Sequence, residues 1–286
     1  MKYAFIEQHQ KTFAVRSLCR VLRVSASGYY DWLTRPVSKH AHEDKRLVTE
    51  IKKIHQQSRG NYGAVKTWKA LNQQGVACGK HRVARLRLVH HIEAKRRTRF
   101  KVTTQSKYQG WIAPNLLQRQ FTVDQPNRVW VGDVTFIATR SGWLYLAIVL
   151  DLYSRKIVGW SMSDRNNQAL VLDALNMAIA QRRPTPGLIH HMDRGQLYAA
   201  HHYRETLQRH HMISSMSRKK DCWDNAVAES FFNNLKNELI HYQNYPTREA
   251  AKAAIFDYIE IFYNRQRIHQ TLQYQSPHHY EMINVA

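Results

Sequence analysis

Three acidic side chains occupy positions where packing alone does not explain a charge. Asp133 interrupts an apolar strand pattern, where burying a carboxylate without a partner or a metal is costly. Asp193 directly follows a short apolar segment, and Glu229 lies in a helical pattern for which we expect Asp224 to be the N-cap. Oxygen ligands of this kind suit Mg²⁺ or Mn²⁺, and two such ions about 4 Å apart can clamp a phosphoryl displacement. Together, the three acids predict two-metal phosphoryl transfer.

These acids can converge only if strands and helices alternate in a suitable order. Hydrophobic periodicity predicts three strands in succession, then a helix, a strand, a helix, a strand and a long helix. The predicted elements are strands 129–137, 143–150 and 156–162, helix 167–181, strand 188–191, helix 200–209, strand 212–216 and helix 224–240. We therefore predict an α/β fold with a ribonuclease-H-like core, meaning a mixed five-stranded sheet with helices, although several α/β folds share the beginning of this order.

The first part of the chain has the pattern of short helices separated by turns. Apolar spacing predicts helices over 12–22, 46–57, 64–72 and 80–90, with a turn at 24–28 before a further helical segment. This pattern is typical of a helix-turn-helix region, so we predict that an all-α region of this type precedes the core. Four basic residues share the final helix and are expected to contact DNA: Lys80, Arg82, Arg85 and Arg87.

Charge supports a nucleic-acid partner. The 286 residues carry 43 Lys and Arg against 21 Asp and Glu, and 25 of the basic residues but only six of the acidic ones lie in residues 1–120. Phosphate contacts by Lys and Arg dominate nucleic-acid affinity, although a solvated surface or an anionic membrane surface would also accommodate such a charge. Arg96 and Arg97 belong to a basic run in segment 93–125, which we interpret as a linker that lies on phosphates.

Composition excludes several classes of protein. No run of eighteen apolar residues and no signal-like segment occurs, so neither a membrane protein nor an obviously secreted one is expected. The three cysteines lie far apart without a CxxC pair, which fits a reducing cytosol and argues against a cysteine-rich zinc site. Histidine is abundant, and His191 is considered both as a substrate contact or proton shuttle and as a packed residue at a strand end.

The three acids belong to a longer set of motifs. Thirty-five residues separate Asp193 from Glu229, and Lys236 follows seven positions later, as in the DDE signature of retroviral integrases and bacterial insertion-sequence transposases. The chain resembles the catalytic reading frame of the third insertion-sequence family over nearly its whole length. The residues that carry this resemblance include 144–146, 151–155, 157–160, 193–195, 215–218, 224–226, 235–238 and 263–269, with 62–63 and 82–86 in the first part.

The resemblance implies a transposase that nicks DNA at the element ends and joins it to new strands. By that resemblance, Asp133, Asp193 and Glu229 are the catalytic and metal-binding residues, with two Mg²⁺ ions for which Mn²⁺ can substitute. Further DNA contacts are expected from Lys236, Asn233, Arg194 and Arg218. Positioning and charge neutralisation would supply the catalysis, without a covalent protein intermediate.

The predicted organisation is a helix-turn-helix region at 1–92, a basic linker at 93–125, the catalytic core at 126–242 and a helical tail at 243–286. Expected partners are double-stranded DNA, further copies of the chain on that DNA, and the product of an upstream reading frame, separate or fused; the expected location is the bacterial cytoplasm, at the nucleoid. Three alternatives remain open: a DNA-binding regulator, a ribonuclease H acting on a hybrid, and a chain that is inactive without the upstream frame.

Overall fold

The computed structural model describes residues 1–36, 38–95, 110–218 and 222–284. Contacts divide the chain into two compact units, residues 1–50 and 51–286. The first unit contains helices α1 (Lys2–His9), α2 (Val15–Val21) and α3 (Ala26–Thr34), which pack around Ile6, Cys19 and Tyr29. Helix α4 (Lys39–Gln57) includes the boundary between the units. Helices α2 and α3, joined by a short turn, match the first predicted helix-turn-helix pattern.

The second unit begins with two further helices, α5 (Ala64–Gln73) and α6 (Lys80–Val89), which pack against each other. Tyr62, just before α5, attaches them to the end of the chain: its hydroxyl donates to the Gln266 carbonyl at 3.3 Å and accepts from the Ile268 amide at 2.8 Å. Through these two hydrogen bonds, Tyr62 connects the start of α5 to residues 266–268, which follow the predicted catalytic core.

Five strands form one mixed sheet in the order β3-β2-β1-β4-β5. Strands β1 (Val129–Thr139), β2 (Gly142–Asp151) and β3 (Ile157–Ser163) make an antiparallel meander, and β4 (Ile189–Met192) and β5 (Ile213–Met216) extend it in parallel with β1. Successive residues of β1 and β2 point to opposite faces of the sheet, and both faces carry buried apolar side chains. Helices must therefore cover the sheet on each side. The predicted mixed five-stranded sheet is confirmed.

One face of the sheet is covered by α7 (Gln168–Arg182) and α8 (His201–Arg209), and the other by α9 (Ala226–Glu238) and α10 (Arg248–Phe256). Helix α7 lies very close to β3 at Gly159, where an added Cβ would come within 2.1 Å of the Ala174 carbonyl oxygen. Glycine is therefore required at this strand position for the helix to approach the sheet.

The segment assigned to a tail also contributes to the core of the catalytic sheet. A π-helical stretch, Asp257–Tyr263, continues α10 directly, and Tyr258, Phe262 and Tyr263 are buried in the same apolar cluster as α9. A final helix, α11 (Pro277–Asn284), places Glu281 against Arg182 at 2.6 Å. Among the described residues, no helix has both the length and the apolar character needed to cross a bilayer.

The start of the long helix and the role of Asp224 differ from the predictions. The expected helix from residue 224 begins instead as a 3-10 turn, Cys222–Asn225, and α9 starts at Ala226. Asp224 is not an N-cap: its buried carboxylate accepts hydrogen bonds from Arg218, Arg119 and Asn115. Those hydrogen bonds to Arg218 hold the pKa of Asp224 well below its usual range. Charged guanidinium donors therefore replace the helix amides as its partners.

Candidate active site

Asp133 and Asp193 are brought together by the pairing of two parallel strands. In the register of β1 and β4, Gly132 lies opposite Met192, so Asp133, the next residue of β1, lies beside Asp193, the residue that directly follows β4. Gly132 leaves room for the neighbouring side chains, since an added Cβ would meet the His190 ring at 3.1 Å. Asp133, in the middle of β1, and Asp193, just beyond the carboxyl end of β4, therefore present two carboxylates side by side. The carboxyl end of a parallel strand is where α/β folds place their sites.

Glu229 reaches the same place from a helix. It lies in the first turn of α9, which packs across β1. Lys236 follows two turns later on the same side, because seven residues correspond to almost two full turns. Its ammonium lies 5.3 Å from the centre of the Phe136 ring. Burial lowers the pKa of Lys236, and the negative charge of Asp133 opposes that shift. The structure thus brings the three acids and Lys236 into one neighbourhood.

Of the three acids, Asp133 has its pKa affected by both of the others. Burial raises the pKa of Asp133 well above its usual value, and repulsion from Asp193 and from Glu229 raises it further. Burial also raises the pKa of Asp193, which the Gly195 amide opposes by donating at 2.8 Å, and desolvation raises the pKa of Glu229. Three crowded carboxylates that resist ionisation together are an unfavourable arrangement unless positive charge compensates them.

The distances between the carboxylates determine how these acids could coordinate metal ions. Among the described residues, the group of His, Cys, Asp or Glu whose ligand atoms all lie within 4.8 Å of one another is His201, His202 and Glu205 on α8. The oxygens of Asp133, Asp193 and Glu229 are therefore spread more widely than one compact coordination shell. All three are hard oxygen donors, which is the ligand chemistry that divalent cations such as Mg²⁺ and Mn²⁺ prefer, so the residues fit a divalent-metal site.

Tyr198 is a residue of this site that the sequence analysis did not select. Its ring packs beneath Gly132, and its buried hydroxyl finds no hydrogen-bond partner among the described residues. Burial raises the pKa of Tyr198 well above its usual value, and the nearby charges of Asp133 and Asp193 add to the effect. A buried tyrosine after a strand has no sequence signal that separates it from an ordinary core residue.

The two histidines before Asp193 are packed residues. Both are fully buried: His190 Nε2 lies 2.6 Å from the Tyr203 hydroxyl, and His191 Nδ1 lies 2.9 Å from the Ser215 hydroxyl. Burial lowers the pKa of His190 to about 3 and that of His191 to about 4. Of the two interpretations of His191, the structure favours the packed histidine over the proton shuttle.

Known protein families match both the helical first part of the chain and the part that contains the sheet. Residues 123–222 and 229–284 each match a model described as "Integrase core domain", and residues 42–100 match "HTH-like domain". The 31 kDa protein of insertion element IS600 from Shigella sonnei is 43% identical over 260 residues, covering 91% of this chain and 96% of that protein. Transposase InsF of insertion sequence IS3A from Escherichia coli K12 is 39% identical over 288 residues, covering all of both chains.

The chain belongs to the IS3 family of insertion-sequence transposases. The family and the transposase function predicted from the sequence motifs are confirmed, as is the DDE polynucleotidyl transferase class of enzyme. Solved structures with similarity include the HTLV-2 integrase catalytic core domain in complex with magnesium, at a TM-score of 0.42 and 19% identity, covering 53% of this chain and 94% of that one. Another is the simian T-cell lymphotropic virus intasome in complex with PP2A regulatory subunit B56 gamma, at a TM-score of 0.45 and 18% identity, covering 79% and 72%.

In this IS3-family transposase, the basic residues of α6 do not share one surface. Lys80 and Arg85 are exposed and Arg82 is half-buried, so these three remain predicted DNA contacts. Arg87 must be withdrawn from that set: it is 5% exposed, and its guanidinium donates to the Thr67 hydroxyl at 3.0 Å. Val83, Leu86 and Arg87 occupy the same helix face, and this face packs against α5.

The remaining predicted contacts lie nearer to the acids. Arg194 follows Asp193 and donates to the Ser217 carbonyl at 2.6 Å, while the exposed Arg218 binds Asp224. Asn233 of this transposase, one turn after Glu229, accepts a hydrogen bond from Asn237 at 2.6 Å. Arg96 and Arg97 lie outside the described residues. Arg194, Arg218 and Asn233 are therefore each fixed by a hydrogen bond or ion pair to another protein group near the acids.

Proposed function

We propose that Asp133, Asp193 and Glu229 are the catalytic residues of this transposase and that they hold two Mg²⁺ ions, for which Mn²⁺ can substitute. The observation that carries the proposal is the position of Asp133, which has Asp193 beside it, directly after β4, and Glu229 near it on α9. Burial raises the pKa of Asp133, and the charges of these two acids raise it further. When bound, the cations would activate an oxygen nucleophile and neutralise charge at the scissile phosphate.

The protein groups orient the reacting DNA around this point. Asp133 and Asp193 are fixed by paired strands and Glu229 by a packed helix, so their carboxylates meet the substrate in a preset arrangement. Lys236 lies where its ammonium can contact a DNA phosphate beside the acids. Asn233, Arg194 and Arg218 extend this surface, and Lys80, Arg82 and Arg85 with the basic run at Arg96 and Arg97 would bind flanking phosphates.

The substrate of the proposed reaction is double-stranded DNA, first at the ends of the insertion element and then at the target. The E. coli relative is named as a transposase for an insertion sequence, which supports this substrate. Joining two ends to one target requires both to be held at once, so we propose that copies of the chain associate on DNA. We further propose that an upstream-frame protein or fusion participates, and that the reaction takes place at the bacterial nucleoid.

The test is a cleavage and strand-joining assay on labelled duplexes that carry the element's own ends, with Mg²⁺, with Mn²⁺ and with a chelator. Wild type should cut and join, and Asp193→Asn and Glu229→Gln should reduce both by at least about 1,000-fold while DNA binding persists. Glu205→Gln, which changes a carboxylate on α8 that is 45% exposed, is the matched control and should retain activity.

Two results would contradict the proposal. One is equal activity in wild type and the two triad variants. The other is cutting of the RNA strand of a hybrid without any joining of DNA, which is the result a ribonuclease H would give. An assay of the wild type with the upstream frame supplied, alone or fused, separates a missing partner from an enzyme that does not cut.

A further inference from the structure

Two aromatic side chains are exposed on the hairpin that leads away from Asp133. Phe136 on β1 is 42% exposed and Trp143 on β2 is 50% exposed, although large aromatic rings are usually covered. Their ring centres lie 5.2 Å apart at 88°, in an edge-to-face arrangement. This contact fixes both rings relative to each other and leaves part of each in solvent.

Lys236 links the aromatic pair to the acids. Phe136 is three residues from Asp133 on the same strand, which corresponds to about 10 Å along an extended chain. The Lys236 ammonium lies 5.3 Å from the centre of the Phe136 ring and is close enough to Asp133 to be affected by its charge. Lys236 therefore lies between the acidic site and the exposed rings.

The surroundings of Trp143 are also basic. Arg248, the first residue of α10, donates from Nε to the Trp143 carbonyl at 2.9 Å, and this bond holds a guanidinium beside the hairpin tip. Arg140, in the turn of the same hairpin, is exposed and is anchored by its amide to the Tyr245 carbonyl. Cations thus lie over the Phe136 ring, at Lys236, and at the backbone of the hairpin tip, at Arg248.

Aromatic rings interleaved with cations are the groups that bind unpaired nucleotides, because bases stack on the rings while the phosphates contact the charges. We propose that Phe136 and Trp143, with Lys236 and Arg248, form a binding site for a nucleobase adjacent to the scissile phosphate. Unpairing a terminal base would let its phosphate lie against Lys236 while the base contacts the rings. This proposal rests on the proposed function of the three acids, since they define where the scissile phosphate lies.

The binding site can be tested by photocrosslinking, which does not require cleavage. Duplexes with 5-iododeoxyuridine at single positions on either side of the cleavage point are irradiated with the Asp193→Asn protein, so that the DNA remains uncut. The proposal predicts a crosslink at positions next to the cleavage point, mapped to the peptide containing Phe136 or Trp143. Phe136→Ala and Trp143→Ala should reduce that crosslink.

The KM for element-end DNA, measured in variants whose three acids are intact, supplies a second readout. Trp143→Ala should raise the KM for element-end DNA by about 5- to 150-fold, the range for losing one base-stacking contact, whereas Trp143→Phe should change it by less than about 5-fold. Phe256→Ala is the control: Phe256 is 49% exposed at the other end of α10 and should show wild-type KM.

Several results would overturn the proposal: crosslinks that map away from the hairpin, a KM in Trp143→Ala equal to wild type, or a Trp143→Ala protein whose oligomeric state changes without DNA. The last would identify the rings as a contact between copies of the chain. Equal cleavage by wild type and the triad variants, with the hairpin crosslink intact, would instead contradict the proposed function alone, so the two failures are distinguishable.

Discussion

Arg267 holds Glu238 at the end of the helix that carries Glu229. The guanidinium makes two hydrogen bonds to the carboxylate, at 2.8 and 2.7 Å, and the Tyr258 hydroxyl donates a third at 2.9 Å. Arg267 and Glu238 are 3% and 6% exposed. Burial alone would raise the pKa of Glu238, but the charge and hydrogen bonds of Arg267, together with the charge of Lys66 and the Tyr258 hydrogen bond, keep that pKa below its usual range. The chain end is thereby attached to the catalytic helix.

We predict that Arg267→Met lowers the free energy of unfolding by about 3–5 kcal/mol, because it leaves the Glu238 carboxylate buried without its partner. The double variant Arg267→Met/Glu238→Met should recover most of that loss. Urea denaturation measures both. Arg209→Ala, which breaks the exposed pair with Glu205, is the matched control and should cost less than about 1 kcal/mol. Equal losses in Arg267→Met and Arg209→Ala would contradict the buried role.

Much of the fold was predictable because its strands and helices have clear periods. The meander of β1, β2 and β3 follows from β-branched and aromatic runs, and the apolar spacing over residues 168–182 is that of a buried helix. Helix α1 was not predicted, since its sequence, KYAFIEQH, has no continuous apolar face. The Arg267 and Glu238 pair could not be predicted either, because a contact across 29 residues leaves no local pattern.

The candidate site was predictable in its acids and less so in its surroundings. The charge at Asp133 within an apolar strand and the spacing of Asp193 and Glu229 identified the residues that the fold brings together. Arg87 shows where counting charges is insufficient: its positions relative to Val83 and Leu86 place it on the buried face of α6. Tyr198 had no such signal, since its unpartnered hydroxyl is visible only in three dimensions.

Removing the hydroxyl of Tyr198 should have opposite effects on stability and on catalysis. The group is buried without a partner among the described residues, so Tyr198→Phe should preserve or raise the unfolding free energy, by up to about 1 kcal/mol. Because the hydroxyl lies close enough to Asp133 and Asp193 for their charges to act on it, we expect cleavage to fall about 10-fold or more. Thermal unfolding and single-turnover cleavage of the same preparation measure both; unchanged cleavage would assign Tyr198 to packing only.

Adding one methyl group at Gly159 should lower the unfolding free energy strongly. In Gly159→Ala the new Cβ would overlap backbone atoms of α7, namely the Ala174 carbonyl at 2.1 Å and the Ala178 amide at 2.7 Å. Helix and strand would have to separate, so we expect a loss of at least about 3 kcal/mol in unfolding free energy. Gly79→Ala, at a glycine with nothing within 4 Å, should lose less than about 1 kcal/mol. Comparable losses in the two variants would refute the close approach.

The buried His190 makes stability depend on pH. Burial lowers its pKa to about 3 from about 6.5 in the unfolded chain, so the unfolded chain binds a proton that the folded one excludes. This contribution is complete above about pH 6.5 and is lost as the pH falls toward 3, by up to about 1.4 kcal/mol per pH unit. Urea unfolding from pH 7.5 to 4.5 measures the slope. His190→Gln should flatten it, and an unchanged slope in that variant would exclude His190 as the source.

The central claim is that Asp133, Asp193 and Glu229 hold two divalent ions. Its most direct test is anomalous X-ray scattering from crystals of the protein bound to element-end DNA and grown with Mn²⁺. The account predicts two peaks about 4 Å apart beside Asp133, both absent from crystals of Asp133→Asn. Manganese found only elsewhere, for example at His201, His202 and Glu205, or peaks that persist in Asp133→Asn, would contradict it.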